Sequence, residues 1–358
     1  MTNSTAKNDH QVLVLGAGYA GLLAALSLAP HARVTLVDPS EHFTERVRQH
    51  ELAAGRPAIT HPLRSFLGTT GVEHIAARAT AIDLHARVVT TDNGRSLPYD
   101  RLVYALGSRT ADTADTGGER AFTAETADAL RKRLRDRPGR LAIVGGGLTG
   151  IEMAAELAEA YPDWDVRLLS REVGAGLSAK GRAHVRTTLT ALGVSLAEGE
   201  RVTSADDVDA DAVLWSASMV PNTELAARSG LALHPSNGRV EVDAFLRSAS
   251  HPEVYVAGDA AAASAPGAGP LRMACATALP TGTQAAAALR ASLDGTEPRP
   301  FRFGYQLQCV SLGRRNGLVQ TVHSDDTPRE LILRGRVAAF TKEQIVRYTV
   351  RLIRQAAR

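Results

Sequence analysis

From residue 12 the chain alternates short apolar runs with helical patterns. An apolar run over 12–15 leads into Gly16-Ala17-Gly18-Tyr19-Ala20-Gly21, a helical pattern follows, and a second apolar run ends on Asp38. That order predicts strand, glycine turn, helix and strand, the βαβ unit of a dinucleotide site. Gly16 permits the tight turn, Gly18 lets a pyrophosphate approach the backbone, and Gly21 lets the helix pack closely on the strand. The helix N-terminus offers free N–H groups and a partial positive charge to the phosphates. Asp38, 22 residues past Gly16, can accept hydrogen bonds from both hydroxyls of an adenosine ribose.

Residues 39–57 are rich in charge and histidine and hold Arg46, Arg48 and His50. Two readings stand: a solvated helix entering the fold, or a segment lining the ligand crevice, with Arg46 on the cofactor's phosphates or ribose. Residues 73–104 read as short strands with a hairpin turn at Asn93-Gly94. The last run passes into Ala105-Leu106-Gly107, which suits a buried parallel strand whose C-terminal end meets a ligand. A polar connection over 109–119 and a helical pattern over 123–136 follow, and the basic run of that helix reads as a solvated face.

Then the opening pattern returns. An apolar run over 141–144 enters Gly145-Gly146-Gly147-Leu148-Thr149-Gly150, so Gly145, Gly147 and Gly150 repeat Gly16, Gly18 and Gly21 at an offset of 129 positions. Two dinucleotide sites in one chain imply two dinucleotides that meet. A flavin and a nicotinamide are the natural pair, since they exchange hydride when their rings stack. Where the first unit has Asp38, the second has Ser170 followed by Arg171. An acid there repels a 2′-phosphate, whereas Arg171 offers it a cation, so NADPH is admitted beside NADH. Further on, a helix is expected over 179–192, strands at 194–196, 213–217 and 238–242, and a strand over 254–257 that delivers Gly258-Asp259 at its tip. There Asp259 can meet a ribityl hydroxyl of a flavin. A helix is expected to begin near Pro280, a small sheet over 301–322, and a helix over 341–358.

In that last helix Ile345, Tyr348, Thr349, Leu352 and Ile353 fall on one side, with Lys342, Arg347, Arg351, Arg354 and Arg358 largely elsewhere. Its short apolar side favours packing against the body; peripheral contact with the inner face of an anionic membrane is the alternative.

Composition adds bounds. A chain of 358 residues holds about two domains, and 44% hydrophobic with 22% charged residues is ordinary for a soluble globular protein. Two cysteines, Cys275 and Cys309, exclude a disulfide framework and contain no CxxC pair, which fits a reduced, cytoplasmic setting. The start, MTNSTAKNDHQ, lacks the apolar core of a signal peptide, and no run approaches the ~20 apolar residues of a spanning helix. A net charge of +3 is too slight to argue for nucleic acid, and no residues are assigned to a metal.

The motifs 16–21, Tyr104-Ala105-Leu106-Gly107, 145–150 and Ala257-Gly258-Asp259 fall in the order found in flavoproteins with two dinucleotide-binding domains. Over about residues 10–320 the chain resembles the pyridine nucleotide-disulfide oxidoreductase superfamily. Within it, the chain is similar to type II NADH:quinone oxidoreductases and apoptosis-inducing-factor-like oxidoreductases, the latter through the segment 45–55. The resemblance implies an FAD domain interrupted by a nicotinamide domain. Gly16, Gly18, Ala20 and Gly21 would line the FAD pyrophosphate, Asp38 its ribose and Asp259 its ribityl chain. Gly145, Gly147 and Gly150 would bind the NAD(P)H pyrophosphate. Glu152 matches an acid near nicotinamide and flavin; as a residue read into the first turn of a helix it would also serve the helix dipole. The chain departs from the pattern at Leu106, where members have Thr, and at Ser218, where they have Gly. It also lacks the glutamine-bearing motif that faces quinone, where residues 274–279 read ACATAL.

The expected fold is α/β: two Rossmann-like domains, the second inserted in the first, with a small C-terminal region. The boundaries are 10–110 and 241–300 for FAD, 111–240 for NAD(P)H, and 301–358 for the remainder. The expected function is an FAD-dependent NAD(P)H oxidoreductase that passes hydride to FAD and then electrons to a small-molecule acceptor, a quinone or quinone-like compound. Alternatives are a tailoring oxidoreductase acting on a biosynthetic small molecule, or a low-turnover redox-sensing flavoprotein.

Overall fold

The computed structural model describes residues 9–56, 59–111, 118–199 and 201–358. The N-terminal residues 1–8 read above as polar, and 112–117 of the expected connection, lie outside the described residues. Two five-stranded parallel sheets share the order of four strands; the fifth, at the same edge, comes last along the chain in the first sheet and first in the second. The first runs Val254–Val256, Arg101–Tyr104, Gln11–Leu15, Arg33–Val37, Glu73–Ile75. The second runs Ala121–Thr123, Ala212–Trp215, Arg140–Val144, Asp165–Ser170, Ser195–Glu198. Central strands are apolar almost throughout, as parallel strands covered on both faces must be. The chain leaves the first sheet after Tyr104, builds the second, and returns at Val254 to pair beside Leu102. The second unit is therefore inserted in the first.

The internal repeat is structural as well as sequential. Strand starts Gln11 and Arg140 and helix starts Tyr19 and Leu148 keep the offset of 129. It grows to 132 at the next strand starts, Arg33 and Asp165, because helix Leu148–Ala160 has 13 residues against 10 in Tyr19–Leu28. Each sheet has its own apolar core, one around Leu22, Leu36 and Tyr255, the other around Ile143, Met153 and Leu168.

A two-stranded antiparallel ribbon, Ser108–Thr110 with Met219–Pro221, joins the units. The expected strand over 238–242 is reduced to isolated bridges, Val240 pairing with Leu233 and Ala261. The helix placed near Pro280 begins earlier, at Cys275, and runs to Leu293. Pro280 stands in its second turn, where the missing N–H removes a single bond, to the Ala276 carbonyl. The C-terminal region is an antiparallel sheet of Leu307–Ser311, Gly317–Val322 and Pro328–Arg334, followed by helix Gly335–Ala356.

Helix Cys275–Leu293 presses against helix Tyr19–Leu28. A Cβ on Gly282 would stand 2.5 Å from the Ala20 carbonyl oxygen, so only glycine permits this approach. Gly282→Ala is expected to cost about 1–3 kcal/mol by forcing the helices apart. Gly176→Ala, where nothing lies within 4 Å of the added carbon, is expected to change stability by less than about 0.5 kcal/mol. Chemical denaturation of the two variants makes the comparison.

Candidate active site

The two glycine turns repeat their hydrogen bonds. Gly16 N–H donates to the Val37 carbonyl at 2.9 Å and Gly145 N–H to the Leu169 carbonyl at 2.9 Å. Their φ values, +97° and +119°, lie in the left-handed region that glycine alone enters freely. A Cβ on Gly21 or Gly150 would collide with the carbonyl of Gly16 or Gly145, while beside Gly18 and Gly147 nothing stands within 4 Å. Free space of the kind a pyrophosphate needs thus lies beside Gly18 and Gly147, the N-caps of both helices, while Ala20 in the first turn of the first helix is buried. Asp38, at its strand tip, accepts from Ala17 N–H at 2.7 Å and from Ser40 N–H at 2.8 Å. At the matching tip Ser170 Oγ donates to the Glu172 carbonyl and Arg171 is exposed.

A second cluster forms where the returning strand meets the ribbon. Asp259 accepts from Ser108 Oγ at 2.6 Å and from Ala274 N–H at 3.0 Å, and Gly258 N–H donates to Thr281 Oγ1 at 2.9 Å. Ala105 is buried against Gly16, and the Gly107 carbonyl accepts from Asn222 N–H across the ribbon. Arg46 donates to the Ser108 carbonyl at 2.6 Å and to Glu125 at 2.7 Å, so its guanidinium spans the two units. Burial opposes ionisation of Glu125, yet the Arg46 charge and nearby hydrogen bonds hold it below the usual carboxylate range.

Glu152 is the fifth residue of helix Leu148–Ala160, past the first turn, so it does not cap the dipole. Its Oε1 accepts from Ser311 N–H at 2.9 Å and from Lys342 Nζ, and its Oε2 lies 3.7 Å from His50 Nδ1. The Lys342 and Glu152 side chains are 11% and 14% exposed. Burial first, then the charges of Lys342, Arg314 and Arg48, push His50 well below 6.5, so its imidazole is neutral at neutral pH. Glu51, 4.0 Å from the other ring nitrogen, is itself engaged by Arg48 at 2.7 Å. Arg56 and Arg314 converge on the buried Glu156 at 3.1 and 2.8 Å.

This cluster borders a cavity of about 820 Å³ lined by His50, Ser311 and Lys342 together with Val47, Phe340 and Val350. Cys275 connects the two clusters: burial, then the Asp259 carboxylate, pushes its thiol up to about 12, and Glu152 adds to the shift. At neutral pH it is a protonated thiol, which removes it as a nucleophile.

Sequence reasoning placed Lys342 away from the apolar side of the last helix. Ala338, Lys342, Val346, Val350 and Ile353 instead form the buried stripe, and Tyr348 is 55% exposed. The legible signal was a lysine in an i, i+4, i+8, i+12 row otherwise made of Ala338, Val346 and Val350. His50 had no such signal, since its charged neighbours suggested solvent.

A model of the pyridine nucleotide-disulphide oxidoreductase family matches residues 10–288. The chain belongs to this family. It is an oxidoreductase that uses FAD and NAD(P)H. An NADH dehydrogenase-like protein of Mycobacterium tuberculosis is 31% identical, over 94% of this chain and 92% of its own. A type II NADH:quinone oxidoreductase of Staphylococcus saprophyticus is 27% identical, over 95% of each chain. Among solved structures, NDH2 of Plasmodium falciparum in complex with NADH superposes with a TM-score of 0.75 at 14% identity, over 97% of this chain and 96% of its own. One departure from the family pattern has a conformational reading: Ser218, where members carry glycine, has φ +62°.

Two predictions follow from the charged cluster. Breaking a buried ion pair strands one charge, so Lys342→Met is expected to cost about 3 kcal/mol, and Glu152→Gln added to it to restore most of the loss. Denaturant titration of the single and double variants measures this. His50 titrates near 6.5 when unfolded and lower when folded, so the unfolded chain binds the extra proton first. Stability from this group is complete above 6.5 and falls as pH drops below it. His50→Asn is expected to flatten the fall in Tm between about pH 6.5 and about pH 5.5.

Proposed function

We propose that this oxidoreductase passes two electrons from NAD(P)H to a quinone or quinone-like acceptor held in the cavity beside Glu152. The observation that carries the reading is that cavity, with Lys342 and His50 on its wall and Glu152 behind them. Gly16, Gly18, Ala20 and Gly21 would cradle the FAD pyrophosphate, Asp38 would hold its ribose, and Gly258 with Asp259 its ribityl chain. Ala105 and Gly107 would border it, and Arg46 would fix the loop that carries Ser108. Gly145, Gly147 and Gly150 would take the NAD(P)H pyrophosphate, with Arg171 beside the 2′ position. When bound, FAD supplies the two-electron carrier between nicotinamide and acceptor.

Overall, NAD(P)H, one solvent proton and the quinone give NAD(P)+ and the hydroquinone. The chain's own contribution is positioning and proton supply. Glu152 orients the Lys342 ammonium by accepting its hydrogen bond, and Lys342 and His50 present nitrogen groups to the cavity. The missing quinone-facing glutamine of residues 274–279 is offset in this reading by donors from the 45–56 segment and the last helix. Among the described residues no helix is long and apolar enough to cross a membrane. Exposed Leu331, Leu333, Val337 and Phe340 support peripheral contact of the C-terminal region with a membrane surface.

Anaerobic mixing of the FAD-loaded protein with NADH and with NADPH is expected to bleach the flavin band, and menadione is then expected to restore it. Glu152→Gln is expected to slow the menadione step by roughly 10²-fold. Absence of bleaching by both nucleotides would refute the hydride path; bleaching without reoxidation by quinone would favour the redox-sensing alternative.

A further inference from the structure

The two glycine turns are built alike, but the strand tips beside them differ. Gly16 N–H reaches the Val37 carbonyl and Gly145 N–H the Leu169 carbonyl, each at 2.9 Å, which puts Asp38 and Ser170 at equivalent positions one residue further on. Both side chains stand over the second residue of their turn. Asp38 Oδ2 accepts from Ala17 N–H at 2.7 Å, and a Cβ on Gly146 would lie 2.6 Å from Ser170 Oγ. Where the first unit has a carboxylate, the second has a hydroxyl, and that hydroxyl is turned to the Glu172 carbonyl at 3.0 Å.

Two carboxylates belong to this tip, and both are taken. Glu198 lies opposite Ser170 on the neighbouring strand and accepts from Val173 N–H at 2.7 Å and from Arg186 at 2.8 Å. Glu172, two residues past Ser170, pairs with Arg182. Arg182 and Arg186 stand four residues apart on helix Ala179–Ala191, so one face of that helix neutralises both acids. Arg171 is placed differently. Its carbonyl accepts from Gly199 N–H at 3.1 Å, which ties down the backbone, while its exposed side chain has no partner among the described residues. The tip thus carries one cation in excess.

A ribose with a free 2′-hydroxyl is held best by an acid that accepts from it, and a 2′-phosphate by a cation with no competing acid. The second tip lacks the first provision and offers the second. Resting on the assignment of the second glycine turn to the nicotinamide nucleotide, we infer that NADPH is the preferred electron donor, with Arg171 receiving its 2′-phosphate beside Ser170. Arginine suits the role because its planar guanidinium can bind a phosphate with two parallel hydrogen bonds. Arg182 and Arg186 act as positioning residues: they do not meet the nucleotide, but they keep Glu172 and Glu198 from repelling the phosphate. NADPH and NADH give up the same hydride, and the 2′-phosphate leaves unchanged on NADP+, so the preference lies in binding.

The test uses the FAD-loaded protein, whose first site is filled. Calorimetric titration is expected to give about 10-fold tighter binding of 2′,5′-ADP than of 5′-AMP, the factor expected of one charge-assisted contact. Anaerobic bleaching of the flavin band at low nucleotide is expected to be faster with NADPH than with NADH by a similar factor. Arg171→Gln is expected to remove both preferences, and Ser170→Asp to invert them. Arg182→Met, which frees Glu172, is expected to weaken 2′,5′-ADP about 3-fold while leaving 5′-AMP unchanged. Raising salt is expected to weaken 2′,5′-ADP more than 5′-AMP. A parent protein without these preferences, or preferences that Arg171→Gln leaves unmoved, overturns the inference while the nicotinamide site stands. An Arg182→Met variant that binds 2′,5′-ADP as the parent does overturns the role given to the helix arginines. Binding of neither adenine nucleotide, with no bleaching by either donor, overturns the assignment of the second glycine turn itself.

Discussion

A carboxylate with little access to water has to be neutralised where it stands, and Glu152 meets that requirement with parts from three distant stretches of chain. Its own helix belongs to the inserted unit, His50 comes from the segment after the first βαβ, and Ser311 and Lys342 come from the C-terminal region. None of these stretches is stable in place without the others, since each would leave a charge or a polar group stranded in a poorly solvated setting. On the last helix Lys342, Val346 and Val350 line the cavity beside them, while Ala338 and Ile353 of the same stripe are fully buried. The same cluster therefore both closes the structure and shapes its opening.

Much of this architecture was legible in the residues. Gly16, Gly18 and Gly21, repeated as Gly145, Gly147 and Gly150, encode a backbone conformation and a contact distance, and both are local properties that a short motif can specify. Asp38 and Asp259 were legible for the same reason, standing at strand tips that apolar runs announce. The start of the Cys275–Leu293 helix was not, because proline is read as a boundary and the cost of one lost backbone bond is met by contacts with the first helix. Lys342 and His50 escaped for a different reason. Their burial is set by charges on partners far along the chain, and nothing in the local pattern of a basic helix or a histidine-rich segment encodes where those partners will lie.

Arg46 illustrates how a residue in a charged segment can carry an unforeseen task. Its neighbourhood admitted two readings, a solvated helix or a wall of the crevice, and its guanidinium is committed to the Ser108 carbonyl and Glu125. It thereby fixes the backbone that presents Ser108 to Asp259. Long-range hydrogen bonds of this kind follow from topology, which brings residues 46, 108, 125 and 259 together from four separate stretches of chain.

The ribbon of Ser108–Thr110 and Met219–Pro221 has a mechanical consequence. Both crossings between the two units run side by side and are bonded to each other through Ser108↔Pro221, Arg109↔Val220 and Thr110↔Met219. Two separate strings would let one unit swivel and slide over the other. A paired ribbon resists sliding along its length and yields to flexure about its short axis, with Asn222 clamping one end to the Leu106 and Gly107 carbonyls. Displacement of one crossing along the other would break this pairing, so the two crossings are held to move together.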